Sequence, residues 1–393
     1  MFQNKYLTGL FLCLNITISY FILDNQTNGL IVLMLGTSPL FLIMQKRNYD
    51  NVDVKMILLL VLMFLFALGK PGFRIVSYLY SVCFVCSFLC LREGFKNELF
   101  SLQQMQTILR NLLYAYCFVL ILQQLCVIVG IKPINQTFGF ADNQWKLPAL
   151  AQEPSHMAIF VFFFMYGYIL ITETINGKRY DLEDAKQEKW VWFSYFWLML
   201  TCQSTSAVFY CGLIFLRFIK KQSILKIFFG GIVALFAVLL LLRNTEAFQR
   251  AYFFSEAILT LDIETLDSVD HSAAYRFFPL FYFKQNFNIF DAAFWFGHGL
   301  DFGKNQLNMY ALEISGDGTY NGEVNMGGFI GYILDYGMIC FCILCATIKR
   351  IIKGMNEPWL VFFYVWLNLF IGFNMQLFWS STLLLTFVSS PKK

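Results

Sequence analysis

Twelve apolar stretches, spread over nearly the whole chain, constrain its fold more than any other feature. They lie near residues 6–23, 29–44, 54–69, 73–91, 109–130, 154–172, 190–203, 205–217, 224–242, 327–347, 358–373 and 376–390. About 20 helical residues cross the ~30 Å hydrocarbon core of a bilayer, and several of these stretches approach that length. The regions 190–217 and 358–390 contain short stretches, so each could hold two brief spans or one broken hairpin.

The composition excludes a soluble enzyme. Hydrophobic residues make up 58% of the 393 residues and charged residues only 14%, which is too little polar surface to cover a globule in water. The sequence therefore predicts an all-α, polytopic membrane helix bundle of about 12 transmembrane helices. We expect one integral membrane domain over residues 1–393, with a large external loop at 243–326 between spans nine and ten.

The distribution of Lys and Arg predicts the orientation of this bundle. If both termini are cytoplasmic, 20 of the 29 basic residues fall on the inner side, and only four fall in short outer loops. Cytoplasmic loops of membrane proteins carry this excess of positive charge. Twelve spans with both termini inside is therefore the consistent topology, and it places loop 243–326 outside.

Net charge and acidic residues limit the possible partners. The formal net charge is only +4 and the basic residues are scattered, so the sequence shows no basic segment of the kind that binds nucleic acid. Asp262 and Glu264 resemble an acidic metal pair, but acidic residues in a loop are usually solvated. The sequence therefore predicts no metal and no cofactor.

The long loop 243–326 carries most of the chemistry that is predicted to lie outside the lipid. Arg276 stands among aromatic residues, where it could reach lipid headgroups, pair with Asp270, or clamp phosphate oxygens through its guanidinium. The turn Gly297–Gly299 would let the backbone approach a ligand closely. Its central residue, His298, is either incidental to a tight turn or a proton acceptor near neutral pH. The density of aromatic residues suggests that this loop packs back onto the membrane surface.

Three helix starts that face outward in this topology also carry polar groups. Span six opens with Glu153 before Pro154, where the carboxylate could be a flanking cap or could accept a proton at the membrane boundary. Span eight opens with the hydroxyl cluster Ser204–Ser206, which could simply cap the helix. Span ten follows Asn321 and Glu323, in a segment of small residues that a substrate could approach.

Four short motifs stand in a shared order over residues 109–347. They are Glu153–Ser155 at a helix start, Ser204–Ser206 between two short spans, an Arg ahead of Gly297–Gly299 in a large loop, and Gly328–Gly331 with Tyr336–Met338 in the next span. In this order and topology the chain resembles the O-antigen polymerase and O-antigen ligase superfamily of bacterial envelope glycosyltransferases. It is most similar to the Wzy-type polysaccharide polymerases.

The resemblance implies a function in the bacterial cytoplasmic (inner) membrane. The substrate would be a glycan on undecaprenyl diphosphate, polymerised at the outer leaflet into O-antigen, capsule or exopolysaccharide. A chain-length regulator protein is implied only by the family. The resemblance also implies that Arg276 holds the diphosphate, and the catalytic candidates are then Glu153, Arg276 and His298. The substrate-binding candidates are Arg250, Ser204, Gly297, Gly299, Asn321 and Glu323.

Three alternatives remain at this point. Superfamily ligases often carry an Arg in the hydroxyl cluster and a His shortly before the late span, and here Thr205 and the segment 321–325 stand in those places. A flippase or secondary transporter should place charges inside its spans. The spans are expected to be nearly free of interior charge, with Asp335 as the main exception. A non-catalytic scaffold would have no reason to gather these polar groups on one side.

Overall fold

A computed structural model of the chain describes a large part of its residues. They are residues 36–40, 42–43, 49–70, 75–97, 100–134, 145, 147–151, 153–201, 205–218, 253, 256–257, 259–260, 262, 265–266, 280–285, 288–300, 302, 305–306, 309, 328–353, 357–370, 372–373 and 376–389.

Within this part of the chain, the regular structure is helical. The helices are α1 (Asn51–Ala67), α2 (Ile75–Lys96), α3 (Leu102–Val129), α4 (Pro154–Asn176), α5 (Leu182–Gln187), α6 (Lys189–Thr201), α7 (Thr205–Phe218), α8 (Ala292–Phe296), α9 (Gly328–Ile351), α10 (Pro358–Phe370) and α11 (Gln376–Ser389). The all-helical class is as predicted.

Four of these helices, α2, α3, α4 and α9, are long and apolar enough to cross a membrane. Helices α1, α6, α7, α10 and α11 coincide with five further predicted stretches but have only 13 to 17 residues each. Two ambiguous regions are now clear, because 190–217 and 358–390 each contain two separate helices. The predicted spans 6–23 and 224–242 lie outside the described residues.

Helix α4 is the centre of the bundle. Every residue from Met157 to Thr172 is buried, and α4 contacts α3, α6, α7 and α11. Aromatic rings fill the space around it: the centroids of Phe162 and Phe363 of α10 are 4.1 Å apart. A helix that is apolar on all sides is typical of a bundle core or a membrane span.

Side-chain contacts show which helix ends lie together. Asp50 at the start of α1 bonds to Arg92 near the end of α2, and Gln106 near the start of α3 donates to Thr172 near the end of α4 at 2.7 Å. Phe95 near the end of α2 packs on Phe387 near the end of α11. We call this side of the bundle the charged end, because ion pairs concentrate there.

At the opposite side, which we call the glycine end, α1 finishes and α4 begins. Phe66 near the end of α1 packs edge-on against Phe296 of α8, with centroids 5.1 Å apart. Helix α8 also packs against α9, so this part of the long loop returns onto the bundle. Its neighbour Phe290 is 93% exposed.

Candidate functional site

The turn Gly297–Gly299 is docked onto a break in helix α9. The break is at Gly337, whose backbone angles of φ 83° and ψ 165° are not helical. The backbone N–H of His298 donates to the carbonyl of Leu334 at 2.8 Å, and that of Gly299 donates to the carbonyl of Asp335 at 3.0 Å. A break in an apolar helix leaves backbone carbonyls without their helical partners, and here the loop supplies the partners.

Two glycines make this docking possible. A Cβ at Gly337 would lie 2.3 Å from the carbonyl oxygen of Trp295, and a Cβ at Gly297 would lie 2.3 Å from that of Asp335. Both glycines also have positive φ, which residues with side chains rarely adopt. Gly297, predicted to contact substrate, therefore brings two backbones together, and its role toward substrate stays a prediction.

His298 lies on this docked turn, half-buried. Its imidazole stacks on the ring of Phe302, with centroids 4.0 Å apart. Burial lowers the pKa of His298 below its ordinary value, Asp291 raises it in part, and the charge of Lys70 lowers it further. The lowered pKa favours the neutral imidazole, which is the form a proton acceptor needs.

Lys70 is a neighbour of this turn that the sequence reasoning did not select. It follows the end of α1, where its N–H donates to the carbonyl of Ala67 at 3.2 Å. Its side-chain stem lies against Gly299, since a Cβ added there would be 3.0 Å from the Cβ of Lys70. Only this contact between α1 and the loop could have revealed it.

Glu153 occupies the position before α4, at the glycine end. Its side chain makes no capping bond to the helix, and instead its carboxylate accepts a hydrogen bond from the hydroxyl of Ser155 at 3.2 Å. The preceding segment is held by Gln123 of α3, which exchanges two hydrogen bonds with the backbone of Ala149. The carboxylate of Glu153 therefore does not cap α4, and Glu153 lies at the same end of the bundle as His298.

The remaining predicted residues lie outside the described part of the chain. They are Arg276, Arg250, Ser204, Asn321 and Glu323. Within the described residues, no group of three His, Cys, Asp or Glu is placed to hold a metal ion.

A buried arginine at the charged end is the largest feature that sequence reasoning missed. Arg217 of α7 is 7% exposed and forms ion pairs with Glu173 of α4 and Glu357 before α10. The hydroxyl of Tyr166 donates to Glu357 at 2.9 Å, and the guanidinium of Arg217 lies over the ring of Tyr166. The cluster joins three helices at their ends, so the expectation that the interior of the spans is nearly free of charge stays a prediction.

A second ionic cluster joins α1 to α2 at the same end. Asp53 is fully buried and accepts hydrogen bonds from Arg92 at 2.9 Å and Lys96 at 2.9 Å. Asp50 accepts a second bond from Arg92 at 2.6 Å and caps α1 through the N–H groups of Val52 and Asp53. The side-chain carboxylate of Asp53 accepts a hydrogen bond from the backbone N–H of Asp50, which completes a capping box.

Sequence alone offered only a weak signal for these clusters. Glu173, Arg217 and Glu357 each lie at the edge of an apolar stretch, where a charge normally reaches water. Their pairing depends on which helices are neighbours, and that is not readable from hydropathy. The spacing of Asp50 and Asp53 resembles a capping box, which could have identified the start of α1.

Three comparisons place the chain against known proteins. Neither the models of protein families, nor the curated proteins, nor the solved structures contain a match to this chain.

Proposed function

We propose that the chain is a membrane glycosyltransferase that polymerises undecaprenyl-diphosphate-linked oligosaccharide repeat units at the outer leaflet of the bacterial cytoplasmic membrane. In this proposal the chain crosses the membrane about twelve times with both termini in the cytoplasm. The charged end faces the cytoplasm, and loop 243–326 with the glycine end faces outward.

The docking of Gly297–Gly299 onto the break in α9 is the observation that carries this proposal. It brings a neutral His298 to the end of the bundle where Glu153 opens α4. The ion-paired Arg92, Lys96 and Arg217 lie at the opposite end. This separation is what the excess of basic residues on cytoplasmic sides would produce.

The proposed reaction is a displacement at the anomeric carbon, in which the protein supplies a proton acceptor and a cation. A hydroxyl oxygen of the acceptor repeat unit attacks the anomeric carbon of the donor glycan, and the bond from that carbon to the diphosphate oxygen breaks. Glu153 or His298 accepts the hydroxyl proton as the new glycosidic bond forms. Arg276 offsets the charge that develops on the departing undecaprenyl diphosphate.

Tethering adds a further contribution. Both substrates are anchored in one leaflet, so the protein needs to orient two reactants that already share a plane. A single displacement of this kind inverts the configuration at the anomeric carbon.

The test replaces Arg276 by Ala and by Lys and resolves the surface polysaccharide on a gel. We expect Arg276→Ala to leave single-repeat products, because the leaving group loses its cation, and Arg276→Lys to retain part of the ladder. Arg350→Ala at the exposed end of α9 is the matched control and should leave a full ladder. A full ladder from Arg276→Ala at normal protein abundance would reject the assigned role.

The same gel separates the alternatives. Loss of a ligase leaves long chains attached to the lipid carrier, whereas loss of a flippase removes repeat units from the outer leaflet altogether. Only a polymerase defect leaves single repeat units that are exported and joined to their final acceptor.

Orientation has its own test, since Phe290 is 93% exposed beside α8. Phe290→Cys should react with a membrane-impermeant maleimide added to cells with a permeable outer membrane. Glu183→Cys on the exposed helix α5 should react only after lysis. The unsubstituted protein supplies the background, and the reverse pattern would invert the proposed topology.

A further inference from the structure

We propose that Lys70, together with the docked turn Gly297–Gly299, forms a binding site for a phosphate group of the lipid-linked substrate. The proposal rests on the proposed function for the identity of that substrate. The site itself is argued from packing and charge at the glycine end.

The position of Lys70 is fixed from two sides. Its backbone closes the last turn of α1 by donating to Ala67, and the beginning of its side chain packs against Gly299. Gly299 is in turn bonded to the carbonyl of Asp335. The lysine stem therefore lies between a long helix and a turn that is anchored to α9, so little conformational freedom is left for a ligand to remove.

Charge balance distinguishes Lys70 from Arg92, Lys96 and Arg217 at the other end. Among the described residues it shares this difference with Lys55, but Lys70 also lies against the docked turn. Arg92, Lys96 and Arg217 are buried or half-buried and are all ion-paired with carboxylates. Lys70 is half-buried, yet across the described residues no carboxylate lies within 4.0 Å of its ammonium. A partly desolvated cation without a counter-charge is costly, and an anionic ligand would compensate for it.

The neighbouring groups suit a phosphate. The stem of Lys70 lies against Gly299, the residue after His298, and the charge of Lys70 lowers the pKa of His298. A neutral imidazole adds a hydrogen-bond donor to the ammonium, and lysine is a common ligand of phosphate as a point charge. Lys70 is also one of only four basic residues in the short loops predicted to face outward, where positive charge is disfavoured.

The phosphate could belong to the diphosphate of the carrier or to the headgroup of a bilayer phospholipid. The experiment separates these two sources with full-length protein in nanodiscs. Undecaprenyl diphosphate and phosphatidylglycerol are titrated in turn, and retained lipid is counted by native mass spectrometry. The probe variant is Lys70→Met, which keeps the apolar stem and removes the charge.

We expect Lys70→Met to weaken binding of undecaprenyl diphosphate by about ten-fold to a hundred-fold, as loss of a hydrogen bond to a charged group does. Lys70→Arg should restore most of it. The matched control is Lys55→Met on the same helix α1, because Lys55 is also half-buried but lies toward the charged end. This control should bind as the parent does.

Each outcome decides the proposal. Weaker binding of undecaprenyl diphosphate alone supports the proposal. Equal weakening of both lipids supports the phosphate site but overturns its assignment to the lipid-linked substrate. Unchanged binding of both lipids overturns the proposal. Because binding needs no turnover, this result is independent of the Arg276 gel, and either proposal can fail without the other.

Discussion

The two ends of the bundle hold their helices together by different chemistry. At the charged end, long side chains from α4, α7 and the start of α10 meet around Arg217, and those of α1 and α2 meet around Asp53. At the glycine end, α8 and α9 meet through their backbones at Gly297 and Gly337, with no side chain between them. The first contact depends on charge and the second on the absence of a Cβ.

The two ends should therefore respond differently to amino-acid substitutions. Ion pairs in a buried setting are sensitive to the loss of one partner, because the other charge is left without compensation. Backbone docking is insensitive to charge and salt but tolerates no added volume. The charged end is therefore suited to a fixed anchor. The glycine end presents His298 on a turn held by main-chain bonds, with Lys70 of the neighbouring α1 end beside it.

The largest expected effect comes from adding one carbon at the glycine end. Gly337→Ala places a Cβ against the backbone of Trp295 and forces an unfavourable φ, so we expect a loss of about 4 kcal/mol or more in the free energy of unfolding. Size-exclusion profiles and thermal unfolding in detergent measure it. Gly212→Ala in α7, where nothing lies within 4 Å of the added Cβ, is the control and should unfold like the parent.

A comparable but slightly smaller effect is expected at the charged end. Arg217→Met leaves the half-buried Glu173 and Glu357 without their cation, which costs about 3–5 kcal/mol. Thermal unfolding in detergent should show a clear decrease in Tm, and adding Glu357→Gln should recover part of it. Lys186→Met, which breaks an exposed pair with Glu183, should leave Tm unchanged. Equal Tm values for the two methionine variants would contradict the contrast between buried and exposed pairs.

The third prediction concerns activity at the glycine end. His298→Gln should lower polymer synthesis by about a hundred-fold if His298 is the base. Burial and Lys70 lower the pKa of His298, with Asp291 opposing them, so the parent should stay active until the pH falls below 6.5. The acid limb of the pH–activity profile should move in the His298→Gln variant. The control is His271→Gln, which replaces the other histidine of loop 243–326. An unchanged profile in His298→Gln would leave Glu153 as the base.

The smallest effect is an acid sensitivity confined to the charged end. Burial alone would raise the pKa of Asp50, but bonds from Arg92, the backbone of Asp53 and Lys96 outweigh it and hold the pKa well below its usual range. The stabilisation is complete above the unfolded value near 3.9 and is lost as the pH falls below it.

Asp50→Asn should therefore flatten the decrease in Tm between pH 5 and pH 3, measured by thermal unfolding in detergent. Glu183→Gln on exposed α5 serves as the control. An unaltered slope in Asp50→Asn would show that other carboxylates dominate acid unfolding.

Hydropathy was sufficient to predict the helical class and the positions of the longer described helices. Apolar runs of 13 to 28 residues became helices because burial and lipid favour any segment that satisfies its own backbone. The break inside α9 was not predicted, since Tyr336–Met338 continues an apolar run and Gly337 alone does not reveal its φ. It depends on a partner, Gly297, in a distant part of the chain.

The candidate site was predictable only in part. Glu153 stood out as a carboxylate at the start of a predicted span, and His298 stood out as an imidazole between two glycines in the long loop. Lys70 did not, because its neighbour Gly299 is remote in sequence. Arg217 was counted only as a basic residue of the inner side, since hydropathy gives orientation but not which helices touch.

The pairing of Gly297 with Gly337 also bears on how this chain can vary. A methyl group at either position collides with the main chain of the other segment. Neither glycine can therefore be replaced without disturbing the contact. In homologous chains we expect the two glycines to be kept together or lost together. Their joint presence would then identify proteins that hold a long loop against a divided helix in the same way, even where hydropathy is all that the sequences otherwise share.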